Sequence, residues 1–458
     1  MTPDLLVIGG GPAGYVAALE AARLGASVTL VERGPLGGAC LNRGCIPSKT
    51  YLRNAEIIED LGQAASRGIR IADPAFAIDL AQAVAAKDAV VAPLVASIGQ
   101  LLASRGVEVV RGDAVLRSPR EAVVDGARRI AAAKGVIVAG GSRPAVPPIP
   151  GAEHPRVLTS DAILDLAEMP TSLVVIGAGV VGIEMAQVFR AYGAAITLLE
   201  AEERVAPFLD AELSAALRIS LARRGIAIHT GVRVGAIRES GGGLRVCVDG
   251  LPDITASHVL LAAGRVPDLS AFGSLAVETR RGFVAVDDAL RTNLPGVYAP
   301  GDVNGRAMLA HAASAMGEVA AAHALGGRAA FDARQEPGCI YGAPEVAWIG
   351  LTEAQARAEG EIVVGRFPFA ANGRARCAGQ TEGFVKIVVG ARHRELLGVH
   401  ILGPHASELI NEAAALRALE ATAEELADTI HAHPTLTETL KEAAAHTLGR
   451  CLHLPPQR

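Results

Sequence analysis

One glycine-rich signature occurs twice in the chain, 168 positions apart, and this duplication restricts the possible fold more than any other feature. The run Leu-Leu-Val-Ile-Gly-Gly-Gly-Pro-Ala-Gly at 5–14 is matched by Leu-Val-Val-Ile-Gly-Ala-Gly-Val-Val-Gly at 173–182. Gly9, Gly11 and Gly14 thus correspond to Gly177, Gly179 and Gly182. Each copy reads as an apolar strand, a glycine turn, an apolar helix and a second strand, which is how a parallel sheet is built. In both copies the second strand ends on an acid 23 residues after the first glycine, Glu32 and Glu200. A lone Gly-x-Gly-x-x-Gly also serves as a plain strand-to-helix connection, but the shared acid and register point to dinucleotide binding. The first glycine makes the turn, the second admits a pyrophosphate to the backbone, and the third lets helix pack on strand. The helix N-terminus then faces the phosphates and the acid accepts from a ribose diol. In the second copy Glu200 would repel a 2′-phosphate, and the nearest cation is Arg204, so NAD is favoured over NADP.

The loops give the order of the units. A proline-rich crossover at 143–151 follows a strand expected over 135–139, and a comparable exit at 264–267 follows one over 259–262. The second fold is therefore expected as an insertion in the first. After Asp302 an alanine-rich helical stretch runs to about Gly326, and from about Pro337 alternating strands, such as 384–389 and 396–401, give way to helices. The partition predicted is 1–145 for the first part of one nucleotide domain, 146–265 for the inserted one, 266–336 for the return, and 337–458 for a separate α+β domain. A chain of 458 residues is long enough for about three cores.

Composition excludes several roles. Charged residues make up 20% and the net charge is -5, which signals neither disorder nor a nucleic-acid footprint, and 3% aromatics leaves little for base stacking. The strand at 5–8 starts too near Met1 to leave room for a signal segment, so a cytoplasmic location is expected. The apolar stretch 89–103 is interrupted by Pro93, Gly99 and Gln100 and falls short of the ~20 residues of a membrane span. It is read as a buried or interface helix, with no membrane partner.

Of six cysteines, Cys247, Cys339, Cys377 and Cys451 are scattered and are taken as structural or incidental. Cys40 and Cys45 lie in the run Gly-Gly-Ala-Cys-Leu-Asn-Arg-Gly-Cys-Ile-Pro-Ser-Lys at 37–49, entering a helix. Two thiols at this spacing can close a small ring as a disulfide, which could be static, redox-active or half of a zinc site. A cytoplasmic setting argues against the first, and the lack of a second Cys or His pair argues against the last. A helix N-terminus and Lys49 would stabilise a thiolate or a reduced flavin anion nearby. A nicotinamide passes hydride whereas a disulfide is opened by a thiolate, so a mediator capable of both is required. A flavin meets that need, with FAD in one nucleotide fold and NAD in the other.

His433, with Pro434 after it and Glu438 five positions on, can be a base whose tautomer is held by an acid, although a His-Pro pair alone is also an ordinary turn. His431 lacks both companions and reads as a surface or packing residue.

The segment 37–49, the inserted repeat, the run Thr-Asn-Leu-Pro-Gly-Val-Tyr-Ala-Pro-Gly-Asp at 292–302 and His-Pro-Thr-Leu-Thr-Glu at 433–438 together resemble the pyridine nucleotide-disulfide oxidoreductases. The form of the cysteine segment, Met-Leu-Ala-His at 308–311 and Pro-Glu-Val-Ala-Trp-Ile-Gly at 344–350 resemble the dihydrolipoamide dehydrogenase branch. The resemblance implies an α/β fold of two Rossmann-like nucleotide-binding domains, one inserted in the other, plus a C-terminal α+β dimerisation domain. Gly9, Gly11, Gly14 and Glu32 then bind FAD, with Gly112, Gly141 and Ser142 beside them and Asp302 on the ribityl chain. Met308, Leu309, Ala310 and His311 lie along the isoalloxazine. Lys49 sits near the flavin and pairs with Glu184. Gly177, Gly179, Gly182 and Glu200 bind NAD, joined by Val234 and Gly264.

By the same resemblance Cys40 exchanges with substrate, Cys45 contacts the flavin, and His433 with its orienting Glu438 reaches the other subunit's disulfide in a homodimer. The implied reaction oxidises dihydrolipoyl groups with NAD⁺, the lipoyl-bearing protein of a 2-oxoacid dehydrogenase or glycine cleavage complex being a separate chain. The rivals are an NADH-dependent reductase of another small disulfide, a mercuric reductase, for which only Cys451 stands near the C-terminus, and a docking subunit. Two departures stand out: Arg43 lies between the cysteines where many relatives have Val, and Gly140 removes a hydroxyl common in the family.

Overall fold

The computed structural model describes residues 2–72 and 76–455. Its first sheet is parallel, in the order Val297–Tyr298, Gly135–Val138, Leu5–Ile8, Val28–Glu32, Glu108–Arg111. Its second, also parallel, runs Ile226–His229, Ala195–Leu199, Ser172–Ile176, His258–Leu261, Val157–Thr159. The strand Val297–Tyr298 comes after every strand of the second sheet in sequence, so the first unit is completed only after the second has been inserted. Leu5, Leu6 and Val7 are fully buried, as a strand covered on both faces requires.

The two glycine turns are built alike. Gly9 and Gly177 have φ of 99° and 109°, and a Cβ on either would strike a backbone carbonyl, that of Ala139 at 2.2 Å or Ala262 at 2.4 Å. Only glycine fits both the conformation and the space. The helix Pro12–Arg23 packs on the helix Ala310–Ala324 through Ala17, Ala18 and Ala21 against Ala320 and Ala321. A Cβ at Gly317 would meet the Ala13 carbonyl at 2.3 Å, so the alanine-rich composition is what permits this close approach.

The C-terminal sheet is antiparallel, in the order Gly338–Ile340, Glu345–Gly350, Leu396–Gly403, Phe384–Gly390, Ile362–Pro368, with the helix Glu438–Thr447 packed on it. Lys386 on this sheet is 2% exposed. It pairs with Asp210 at 2.7 Å and Glu353 at 2.8 Å, and with Glu212 at 3.1 Å. Asp210 caps the helix Ala211–Arg223 of the second nucleotide unit, so this ion cluster fastens that unit to the C-terminal sheet. Both antiparallel three-stranded meanders, 114–131 and 234–256, were missed by the sequence reading.

One expectation, a buried or interface helix over 89–103, loses its first alternative. The apolar stretch 89–103 is part of a 25-residue helix, Leu80–Ser104, capped by Asp79, whose carboxylate accepts the Gln82 N–H at 3.0 Å. Pro93 costs the helix a hydrogen bond without ending it. Among the described residues this is the one helix long and apolar enough to cross a membrane, and only 6% of its apolar window is buried in the chain. It is therefore not a buried core helix, and Val90, Leu94 and Leu101 lie exposed along it.

Candidate active site

Cys40 stands on the short helix Gly38–Arg43, and Cys45 is the first residue of the helix Cys45–Gln63. They form a disulfide with Cα atoms 4.7 Å apart. Cys45 at the start of a 19-residue helix lies where the helix dipole favours a thiolate. A Cβ at Gly38 would meet the Gly11 Cα at 2.6 Å, so the disulfide segment rests directly on the first glycine turn.

A cleft of about 770 Å³ opens over this junction. Gly9, Gly11 and Glu32 line it, with Gly112 and Gly141 beside them, while Gly14 lies beneath, its Cα pressed against the Gly9 carbonyl so that a Cβ would be 1.8 Å away. Met308, Leu309, Ala310 and His311 line the same cleft as Cys40, Cys45 and Lys49. Lys49 Nζ pairs with Glu184 at 2.9 Å and lies 4.3 Å from the centre of the Tyr341 ring, while the Tyr341 N–H donates to Glu184 at 3.1 Å. Glu184 is 3% exposed, and its helix, Val180–Ala191, begins at the second glycine motif.

Each motif acid closes its own turn. Glu32 accepts the N–H groups of Gly10 at 2.5 Å and Gly34 at 2.6 Å, and Glu200 those of Ala178 at 2.6 Å and Glu202 at 2.9 Å. Every carboxylate oxygen keeps a further lone pair for a ribose hydroxyl. Gly177, Gly179, Gly182, Glu200, Val234 and Gly264 stand outside the 770 Å³ cleft, on the second fold. Nothing lies within 4 Å of where a Cβ on Gly179 would be, which leaves the turn open to a ligand.

Arg265 belongs to the site but the sequence reading took its segment only as a boundary. Its guanidinium donates to the Ser142 hydroxyl at 2.7 Å and carbonyl at 2.8 Å, and Ser142 donates to Asp302 at 2.5 Å. Gly140 has a physical reason here, because a Cβ would lie 2.6 Å from the Asp268 carbonyl. Cys339 also lines the cleft, and burial pushes its thiol up to about 12 and keeps it unreactive at neutral pH.

His433 and Glu438 do not line the cleft. The imidazole is 77% exposed, with Nδ1 2.9 Å from Glu438. Burial alone would raise the Glu438 pKa, but the Thr435 N–H and the His433 ring outweigh it and hold the carboxyl below its usual range. An ionised carboxylate only accepts, so Nδ1 carries the proton and the basic lone pair is on Nε2, directed away from Glu438. Of the two readings given for His431, surface or packing, the structure fits packing. Its side chain is 5% exposed, with Nε2 2.8 Å from Glu412 and Nδ1 3.0 Å from the Thr429 carbonyl. The hydrogen bond to Glu412 raises its pKa above the ordinary value.

Comparison with known proteins adds to this geometry. The family model for pyridine nucleotide-disulphide oxidoreductases matches residues 3–317, and that for their dimerisation domain matches 336–444. The dihydrolipoyl dehydrogenase of Chlorobaculum tepidum is 41% identical over 459 residues, covering 97% of each chain. That of Bacillus subtilis is 38% identical, covering 98% of this chain and 99% of that protein. Among solved structures, LpdA of Mycobacterium tuberculosis superposes with a TM-score of 0.88 at 30% identity over 97% of this chain and 99% of that one. The HOCl-induced flavoprotein disulfide reductase RclA of Escherichia coli gives 0.86 at 27% identity, over 96% and 99%.

Proposed function

The chain belongs to the pyridine nucleotide-disulphide oxidoreductases, and on that premise we propose that it is a dihydrolipoyl dehydrogenase, oxidising protein-bound dihydrolipoyl groups with NAD⁺. The observation that carries the reading is the Cys40–Cys45 disulfide seated against the first glycine turn, while Lys49 and Glu184 tie its helix to the second. Full-length identities of 41% and 38% to dihydrolipoyl dehydrogenases support the substrate.

The cleft fits FAD. Its turn at Gly9 and Gly11 has space for a pyrophosphate, Glu32 keeps lone pairs for a ribose, and Asp302 with Ser142 offers a polar wall for a ribityl chain. The second turn with Glu200 would hold NAD. A flavin bound here supplies the two-electron relay that thiols and a nicotinamide cannot make directly.

The chain's own residues do the rest. A substrate thiolate attacks Cys40 Sγ, a new S–S bond forms, the Cys40–Cys45 bond breaks, and the electron pair leaves on Cys45 as a thiolate. The second substrate thiol loses its proton and attacks the first sulfur, closing the substrate disulfide and releasing Cys40 as a thiolate. The partner subunit's His433 takes a proton at Nε2 while Glu438 holds Nδ1, and the helix N-terminus at Cys45 steadies the thiolate. Residues 1–145 and 266–336 form the flavin unit in this proposal, 146–265 the NAD unit and 337–458 the dimer unit.

A second reading, an NADH-dependent reductase of another small disulfide, is supported by the likeness to RclA. Assaying NAD⁺ reduction by dihydrolipoamide beside NADH oxidation by lipoamide and by glutathione disulfide separates the two. Turnover with the lipoyl compounds at least tenfold above glutathione disulfide is expected. Turnover confined to glutathione disulfide would replace the first reading with the second.

A further inference from the structure

Arg43 is three residues after Cys40 on the helix Gly38–Arg43, and residues at that spacing share one face with Cβ atoms about 5–6 Å apart. Both line the cleft that holds the disulfide. The guanidinium is 64% exposed and donates no hydrogen bond among the described residues. Its ionic partner is Asp161 of the second nucleotide unit, at 3.7 Å, too far for a hydrogen bond. Lys49, by contrast, is engaged with Glu184. Arg43 is thus a largely exposed cation, only loosely paired with Asp161, on the same short helix as the sulfur assigned to the substrate.

We propose that Arg43 is a specificity residue that favours thiol substrates carrying an anionic group close to the reacting sulfur, a carboxylate-bearing dithiol over its neutral amide. This rests on the reading of Cys40 as the exchanging thiol. A guanidinium takes a carboxylate bidentately and keeps its charge at every working pH, so the preference follows the substrate's charge and not the enzyme's titration. Asp161 competes for the same guanidinium and moderates the effect.

Two measurements test it. In the protein reduced with a phosphine, the Cys40 thiolate displaces iodide from iodoacetate or iodoacetamide, forming a C–S bond as the C–I bond breaks, and mass mapping reports modification at Cys40. The iodoacetate-to-iodoacetamide rate ratio should fall about three- to fivefold in Arg43→Val, the range of a partly exposed ion pair, and rise in Asp161→Asn. The fall should shrink in 0.5 M salt. The second measurement is the ratio of kcat/KM for dihydrolipoate over dihydrolipoamide, which should move in the same directions. An alkylation ratio unchanged in Arg43→Val overturns the inference, whatever the turnover. A shifted alkylation ratio with no turnover of either dithiol supports it and removes the proposed substrate instead.

Discussion

Lys49 and Glu184 form a two-pronged ion pair, with Nζ 2.9 Å from one carboxylate oxygen and 3.0 Å from the other, and it links the helix that begins at Cys45 to the helix that begins at the second glycine motif. Lys49→Met would leave the Glu184 side chain, 4% exposed, with only the Tyr341 N–H. Because the lysine is 31% exposed, the loss should be about 1–3 kcal/mol, below that of a fully buried pair. Urea unfolding of the flavin-loaded protein measures it. Adding Glu184→Gln to Lys49→Met should recover part of the loss, and additive losses would deny the coupling.

Glu200 is proposed to set the coenzyme preference. Its carboxylate is held by the N–H groups of Ala178 and Glu202, so it cannot swing away from a 2′-phosphate. NADH should be preferred over NADPH by about tenfold or more, since a poorly matched buried polar contact costs about 1–3 kcal/mol. Equal kcat/KM for the two coenzymes would refute this.

His431 gives a pH signature. Its folded pKa is raised, first by the bond to Glu412, so the stability it contributes is complete below the unfolded value near 6.5 and is lost as pH rises through the folded one. Glu412→Gln should therefore destabilise the protein by roughly 1–2 kcal/mol at pH 6, with the gap to the parent narrowing toward pH 9. Chemical denaturation at both pH values reads this out. A gap that stays constant would mean that His431 is neutral throughout.

The proposed shared site can be counted. In a purified mixed dimer of Cys40→Ser and His433→Gln chains, a site built in trans leaves one site doubly defective and the other intact, giving about half the wild-type activity per dimer. A site built in cis leaves both damaged. Activity no higher than either mutant homodimer would place His433 with its own disulfide.

What the sequence made legible is local. The glycine turns, the acids at the same offset and the Cys40–Cys45 segment are each specified by conformations and spacings within a few residues, and the structure builds both turns on the same clash between a would-be Cβ and a carbonyl. The Lys49–Glu184 pair was reachable through family resemblance alone, since 135 residues separate the partners. The partner of His431 was not legible, because Glu412 comes from the helix Ala406–Ala418, 19 residues away. Arg265 was hidden for a similar reason: its segment carried a boundary signal, and its contact with Ser142 depends on an antiparallel pairing across 123 positions. Only the stretch 89–103 of the helix Leu80–Ser104 was legible, because Lys87 and Asp88 end the apolar run whereas the helix continues through them.

The buried ammonium of Lys386 has a mechanical consequence. Swinging the second nucleotide unit off the C-terminal sheet would pull Asp210 and Glu212 away from Lys386 and leave it with Glu353 alone, giving up two short ion pairs formed where the lysine is 2% exposed. The unit of the second glycine turn is thus tied to the C-terminal sheet at a point remote from its own ligand-facing edge, so substitutions at Lys386 act on the seating of that unit and not on the glycine turn itself.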